Sequence, residues 1–249
     1  MTKTLILIPS RMAATRLPGK PLLKINNLSI VSHVFKRAEE ANIGEVVVAT
    51  EDKEILRDVL KNGGKAILTN NKHKTGTDRI FEAYKKLDIK NIDYILNLQG
   101  DEPDIDKDDI INLNNCMINQ DAELGTLAAK IQDDKMLNNK NIVKVITEKK
   151  LEKNNFPRAL NFTRDDLSAN NKNIYHHIGI YSYKISILEK LVSLDQSNDE
   201  KKNKLEQLRA LDNDLKINVA LAKSSPIGVD TEEDYLAIKK IMEYKIKDE

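Results

Sequence analysis

Three cations stand close together near the start of the chain: Arg11, Arg16 and Lys20, in IPSRMAATRLPGKPLL, with no acidic residue among them. Guanidinium forks grip phosphate oxygens two at a time, and an ammonium acts as a point charge. A triphosphate carries roughly four negative charges near neutral pH, and these must be offset before its α-phosphorus is attacked. The segment holds one glycine, Gly19, so side chains rather than backbone amides must supply the charge. The pattern predicts a nucleoside triphosphate site in which Arg11, Arg16 and Lys20 hold the phosphates and stabilise a leaving pyrophosphate.

Carboxylates elsewhere could complete such a site. QGDEP, residues 99–103, offers Asp101 as a hard oxygen ligand for Mg²⁺, in preference to its neighbour Glu102. The same five residues also read as a turn before a helix introduced by Pro103 and Asp104. Asp230, in GVD, joins Asp101 on a metal if the strand before it returns to the same edge; otherwise it is an N-terminal charge on the last helix. KTGTDR, residues 74–79, sets Thr75, Gly76 and Thr77 in a polar turn that could read a base edge beside Arg79, with Thr77 alternatively an N-cap. His176 and His177 are neighbours on a strand and point to opposite faces, so one rather than both meets a cleft. In LEQLR, Leu205 and Leu208 share a helix face with Leu211 and leave Glu206 and Gln207 outward.

These segments must be positioned by the elements between them. Strands are expected at Thr4–Ile8, Glu45–Ala49, Ala66–Thr69 and Tyr94–Leu98, and helices at Ser29–Ala41, Lys53–Asn62 and Thr77–Leu87. Ile43-Gly44 and Gly63-Gly64 fall where helix C-caps belong. Strand–helix alternation of this kind predicts an α/β fold with a mostly parallel sheet flanked by helices. Ligands of such sheets bind beyond the carboxyl ends of the strands, where the cationic loop, ATED and QGDEP all fall. The second half, with strands expected at Gly125–Ile131, Ile142–Thr147, Ala159–Thr163 and His177–Tyr183, predicts antiparallel pairing in a smaller mixed sub-layer. Residues 195–206 read as a solvated polar run leading into a helix, and Ile217–Ala222 as a returning strand. TEED, residues 231–234, opens the last helix with a capping-box pattern, and Tyr235, Ile238, Ile241, Met242 and Ile246 form its apolar stripe.

Composition limits the function classes. With 249 residues, 40% apolar and 32% charged, the chain is expected to form one domain, 1–249. A net charge of +1 gives no case for nucleic acid or membrane surfaces. The one cysteine, Cys116, allows no intrachain disulfide and suits a reducing compartment, and no apolar run reaches membrane-spanning length. The expectation is a cytoplasmic protein.

In combination IPSRMAATRLPGKPL, VVVATED, KTGTDR, LNLQGDEP, NIVKVI, HHIGIYSYK, LEQLR and GVDTEEDY resemble, nearly end to end and in order, the CMP-Kdo synthetases (3-deoxy-manno-octulosonate cytidylyltransferases). The resemblance implies a nucleotidyltransferase-type fold, usually a homodimer, that uses CTP and Mg²⁺ to activate the acid sugar Kdo for lipopolysaccharide assembly. It implies that Arg11, Arg16 and Lys20 hold the triphosphate, that Thr75, Gly76, Thr77 and Arg79 lie at the cytidine side, and that Asp101 and Asp230 bind magnesium. Gln99, Arg164, His177, Tyr181, Glu206 and Gln207 would line the sugar site, with Arg164 clamping the sugar carboxylate. Two features depart from the family: TRDDLSA, residues 163–169, stands where SRxxIP is usual, and His176 stands where arginine is common. Asp165 and Asp166 would oppose an anion and favour an amino-bearing sugar such as 8-amino-Kdo. A non-catalytic nucleotide-binding protein on the same scaffold is the alternative from another class; the retention of both Asp101 and Asp230 argues against it. Sialic-acid activation and sugar-1-phosphate chemistry fit less well, because the first loop lacks the Lys-Gly and Lys-Asn pattern of the one and the glycine-rich loop of the other.

Overall fold

A computed structural model describes residues 2–13, 16–133, 135–167, 173–223 and 225–245. In chain order the strands and helices are β1 (Thr4–Ser10), β2 (Lys24–Ile25), β3 (Leu28–Ser29), α1 (Ile30–Glu40), β4 (Gly44–Thr50), α2 (Lys53–Lys61), β5 (Ala66–Leu68), α3 (Gly76–Leu87), β6 (Tyr94–Asn97), α4 (Lys107–Asn119), β7 (Leu124–Lys130), α5 (Lys135–Asn138), β8 (Lys144–Thr147), β9 (Ala159–Thr163), β10 (Ile174–Lys184), α6 (Ile185–Ser193), α7 (Asn198–Asn203), α8 (Gln207–Asp212), β11 (Ile217–Leu221) and α9 (Glu232–Lys245). The chain divides into two compact units, the first taking Lys3–Asp108 and Pro226–Glu249, the second Asp109–Ser225.

In the first unit β1 pairs in parallel with β4 and β6, and β4 with β5. Leu5, Ile6, Leu7 and Ile8 of β1 are all fully buried, which a continuous apolar strand requires when both faces of a parallel sheet are covered. The helices are amphipathic. In α1, Ile30, Val31, Val34, Phe35 and Ala38 face inward, and the Ser29 hydroxyl caps the helix by accepting from Ser32 N at 3.2 Å. A small core of Ile25, Ile30, Val229, Ile238 and Met242 fastens the last helix beside the β2–β3 hairpin. Tyr235 strengthens this by donating to Lys24 O at 2.7 Å.

Gly63 follows the α2 C-cap with φ 83°, as a terminating glycine should. Gly44 does not cap a helix: it opens β4, where a Cβ would lie 1.9 Å from Thr4 O, so the close approach to β1 demands glycine. The α1 terminus is made instead by Ala41, with Asn42 taking the positive φ. On α9 the buried stripe is Ile238 and Met242 with Tyr235 partly covered; Ile241 is 38% exposed, because it lies about 100° round the helix from its neighbour Met242, and Ile246 lies outside the described residues.

In the second unit β10 pairs antiparallel with β7 and β8, β8 antiparallel with β9, and β11 parallel with β7, so the expected antiparallel pairing is present. The register of β10 shifts between Ile178 and Tyr181, and the Thr126 hydroxyl fills the shift by donating to Ile180 O at 2.7 Å. The polar run 195–206 is only partly solvated. Its α7 has a full Ser197–Glu200 capping box, and buried Glu200 accepts from Arg209 Nη2 at 2.6 Å and Nε at 2.8 Å. A carboxylate can be buried here because a buried guanidinium on α8 matches it in a fork.

Candidate active site

The loop after β1 is shaped by hydrogen bonds of its own backbone. Met12 N donates to Asp52 Oδ2 at 2.8 Å, and Gly19, with φ 73°, donates to Met12 O at 3.1 Å, closing the loop on itself. Lys20–Leu22 then form a single 3₁₀ turn that points Lys20 inward. QGDEP passes against the end of β1, where a Cβ on Gly100 would lie 2.9 Å from Pro9 O. The α3 start packs there too, since a Cβ on Gly76 would lie 3.3 Å from Pro9 Cγ. Val229 N donates to Asp101 O at 2.9 Å, which joins GVD to QGDEP and brings Asp230 beside Asp101.

The result is a cleft of about 340 Å³ lined by Arg11, Arg16 and Lys20, by Thr75, Gly76 and Arg79, and by Gln99, Asp101 and Asp230. That size suits a small ligand. All three of the segments expected at the strand ends, and the distant GVD, therefore meet within the first unit. Lys20 Nζ donates to Asp101 Oδ2 at 2.6 Å, to Val229 O at 2.8 Å and to Asp230 Oδ1 at 3.1 Å. Burial works against its charge, but the two carboxylates outweigh burial and hold the ammonium pKa above its ordinary value. Arg16 Nη2 lies 2.7 Å from Asp230 Oδ2. Arg11 has no hydrogen-bond or ion-pair partner among the described residues.

Arg79 lines the cleft with its charge already matched. It is 3% exposed, donates to Thr69 Oγ1 at 2.7 Å and pairs with Glu51. ATED thus contributes to the site by holding the wall. Thr77 is buried and does not cap α3; Thr75 does, its hydroxyl accepting from Asp78 N at 3.1 Å, because the helix begins at Gly76. Pro103 and Asp104 likewise precede α4 without capping it, since the helix begins at Lys107 and Asp106 Oδ1 accepts from Asp108 N at 2.8 Å.

Glu102 is the residue the sequence undervalued. Burial, with Asp101 and Asp230 nearby, pushes its carboxyl up to about 8, and Oε2 has no hydrogen-bond partner among the described residues. Largely protonated at neutral pH, it leaves the negative charge to Asp101 and Asp230. Ser10 and Lys74 also line the cleft and were not singled out, though both flank residues that were.

The remaining candidates lie in the second unit. His177 is 8% exposed, and its Nε2 lies 3.0 Å from the Thr126 hydroxyl. That hydroxyl donates to Ile180 O, so Nε2–H is the donor to it and Nδ1 stays unprotonated. Burial, with His176 and Arg164 adding to it, pushes His177 down to about 3. Tyr181 stacks on Tyr183 with ring centroids 5.9 Å apart and meets the His177 ring at a 49° tilt, 5.5 Å away, and burial raises its hydroxyl pKa. His176 turns the other way, with Nδ1 2.9 Å from Ser225 Oγ. Arg164 Nη1 donates to Asn141 O at 2.9 Å, while Asp165 and Asp166 are exposed. Lys144, fully buried and unforeseen, anchors this corner by donating to the carbonyls of Leu137, Asn139 and Arg164 at 2.9–3.1 Å. Leu205 and Leu208 are buried, with Glu206 and Gln207 half-buried at the start of α8.

A cytidylyltransferase family model matches residues 5–217. The 3-deoxy-manno-octulosonate cytidylyltransferase of Nitrobacter hamburgensis is 43% identical over 242 residues, covering 97% of this chain and 93% of that protein. The same-named protein of Bartonella bacilliformis is 41% identical over 241 residues, covering 96% and 98%. A solved CMP:2-keto-3-deoxy-manno-octonic acid synthetase complexed with CTP superposes with a TM-score of 0.89 at 33% identity, covering 98% of this chain and all of that one. A UDP-glucose pyrophosphorylase shares the fold alone, with a TM-score of 0.71 at 16% identity over 98% of this chain and 100% of that one. Among the described residues no helix is long and apolar enough to cross a membrane. The chain belongs to the 3-deoxy-manno-octulosonate cytidylyltransferases, a family of nucleotidyltransferase enzymes.

Proposed function

We propose that the whole chain, acting as one nucleotidyltransferase domain, transfers CMP from CTP to Kdo. The anomeric hydroxyl oxygen of Kdo bonds to the α-phosphorus, the bond from that phosphorus to the bridging oxygen of the β-phosphate breaks, and the hydroxyl proton is released, giving CMP-Kdo and pyrophosphate. The observation that carries the reading is the convergence of Arg11, Arg16 and Lys20 with Asp101 and Asp230 in one cleft.

The donor set fits Mg²⁺. Two carboxylates already converge on a cation, the Lys20 ammonium, and Mg²⁺ needs only one or two carboxylates when phosphate oxygens and water complete its shell. Among the described residues no cluster of three or more His, Cys, Asp or Glu forms a closed cage. Asp101 and Asp230 would hold the ion, which when bound would neutralise phosphate charge and acidify the sugar hydroxyl. Arg11, Arg16 and Lys20 offset the triphosphate and the departing pyrophosphate. The Thr75–Gly76–Thr77 turn and Arg79 frame the cytidine, and Gln99, Arg164, His177, Tyr181, Glu206 and Gln207 receive the sugar. Catalysis is then mostly positioning and charge neutralisation, as in phosphoryl transfer generally.

The reading further implies a cytoplasmic homodimer, which sedimentation of the purified protein would test. The decisive assay is pyrophosphate release from CTP: it should require both Kdo and Mg²⁺. Absence of release at saturating concentrations of both, with CTP binding intact, would favour a nucleotide-binding protein without turnover.

A further inference from the structure

The position proposed for the metal is already held by a positive charge of the chain itself. Lys20 Nζ bridges Asp101 Oδ2 at 2.6 Å and Asp230 Oδ1 at 3.1 Å, and its third contact, Val229 O at 2.8 Å, lies on the strand of backbone that joins the two acids. Its side chain is only 14% exposed, so this is a seated ammonium rather than a surface lysine. Two carboxylates drawn together in a half-buried cleft repel unless a cation lies between them. An ammonium and a divalent ion cannot both occupy the same few ångströms, because their own repulsion is of the same kind and larger.

Resting on the functional reading above, we propose that Lys20 is a resident cation that holds Asp101 and Asp230 together in the nucleotide-free protein and is exchanged for the divalent ion when nucleotide arrives. Displaced from the carboxylates, the ammonium needs a new counter-charge, and the triphosphate supplies it. Metal and nucleotide therefore bind with positive coupling: the nucleotide draws Lys20 away from the acids, and the metal frees Lys20 for the nucleotide. By linkage each raises the affinity of the other by the same factor.

Mn²⁺ tests this as a spectroscopic probe, its binding to the full-length protein read by paramagnetic resonance without any turnover. Wild type without nucleotide should bind Mn²⁺ weakly, and Lys20→Met should bind it at least tenfold more tightly under the same conditions. Adding CMP should leave the wild-type affinity low, because CMP lacks the phosphates that receive Lys20. Lys20→Arg, which keeps the charge, should behave as wild type, and far-ultraviolet circular dichroism establishes that each variant is folded. Equal or weaker Mn²⁺ binding by folded Lys20→Met overturns the exchange while leaving metal-dependent turnover by wild type untouched. Failure of wild type to bind Mn²⁺ even with CTP present overturns the metal assignment itself, and the exchange with it.

Discussion

At the scale of single residues, the site is a balance of charges. Lys20 and Arg16 are matched to Asp101 and Asp230, whereas Arg79 is matched to Glu51 and serves the wall. Asp101→Asn and Asp230→Asn are each expected to lower kcat on the order of 10²-fold or more, read by pyrophosphate release, with folding intact by circular dichroism. His177 makes a prediction in pH. Its folded pKa, about 3, lies below the ordinary value of 6.5, so the folded state binds the proton less well than the unfolded one. Its contribution to stability is present above pH 6.5 and lost as pH falls toward 3. Chemical denaturation should show wild type losing stability over that window more steeply than His177→Asn. The same depressed pKa means that His177 stays neutral at neutral pH, so in the proposed sugar site it would offer Nδ1 as an acceptor. The cations and acids of the cleft were legible in the sequence because charged residues at strand ends announce themselves. Glu102 was not, because its neutrality comes from burial beside two other carboxylates.

At the scale of elements, short backbone devices set the geometry. The α9 start is a capping box in which Thr231 Oγ1 accepts from Asp234 N at 3.2 Å and Asp234 Oδ2 accepts from Thr231 N at 2.9 Å. Asp234 Oδ2 also accepts from Asp230 N at 3.1 Å, so the cap fixes the proposed metal ligand. Thr231→Ala should cost about 1 kcal/mol of stability and raise the Mg²⁺ concentration needed for half-maximal rate, which separates a positioning loss from a merely structural one. In the second unit, Glu200→Gln leaves a buried guanidinium without its counter-charge and should cost about 3 kcal/mol by urea denaturation. An unchanged midpoint would show that the pair is dispensable. TEED was readable as a cap because its spacing is local. Gly44 was misread as a stop because the sequence does not show that Thr4 O lies against it, and Glu200 was read as solvated because its partner Arg209 lies on the next helix.

At the scale of the whole molecule, the nucleotide candidates gather in the first unit and most of the sugar candidates in the second. A ligand that binds only the folded state adds about 2.7 kcal/mol at roughly 100 times its Kd. Mg²⁺ and CTP together should therefore raise Tm by about 5–10 °C in a chain of this length, and CTP without metal by less. Hydrogen exchange should then show protection at residues 16–22, 74–79, 99–102 and 228–230, and protection confined to other segments would contradict the proposed nucleotide site. The sequence by itself determined the α/β alternation, the parallel sheet of the first unit and the family, because apolar periodicity and compact motifs are written in neighbouring residues. Only the tertiary structure decided that Asp230 meets Asp101. Their meeting rests on the apolar core under α9, on the hydrogen bond from Val229 N to Asp101 O and on the Lys20 bridge, between segments more than a hundred residues apart. Only it decided, too, that Lys20 sits between those acids. A side chain's counter-charge is chosen by packing, which periodicity along the chain does not encode.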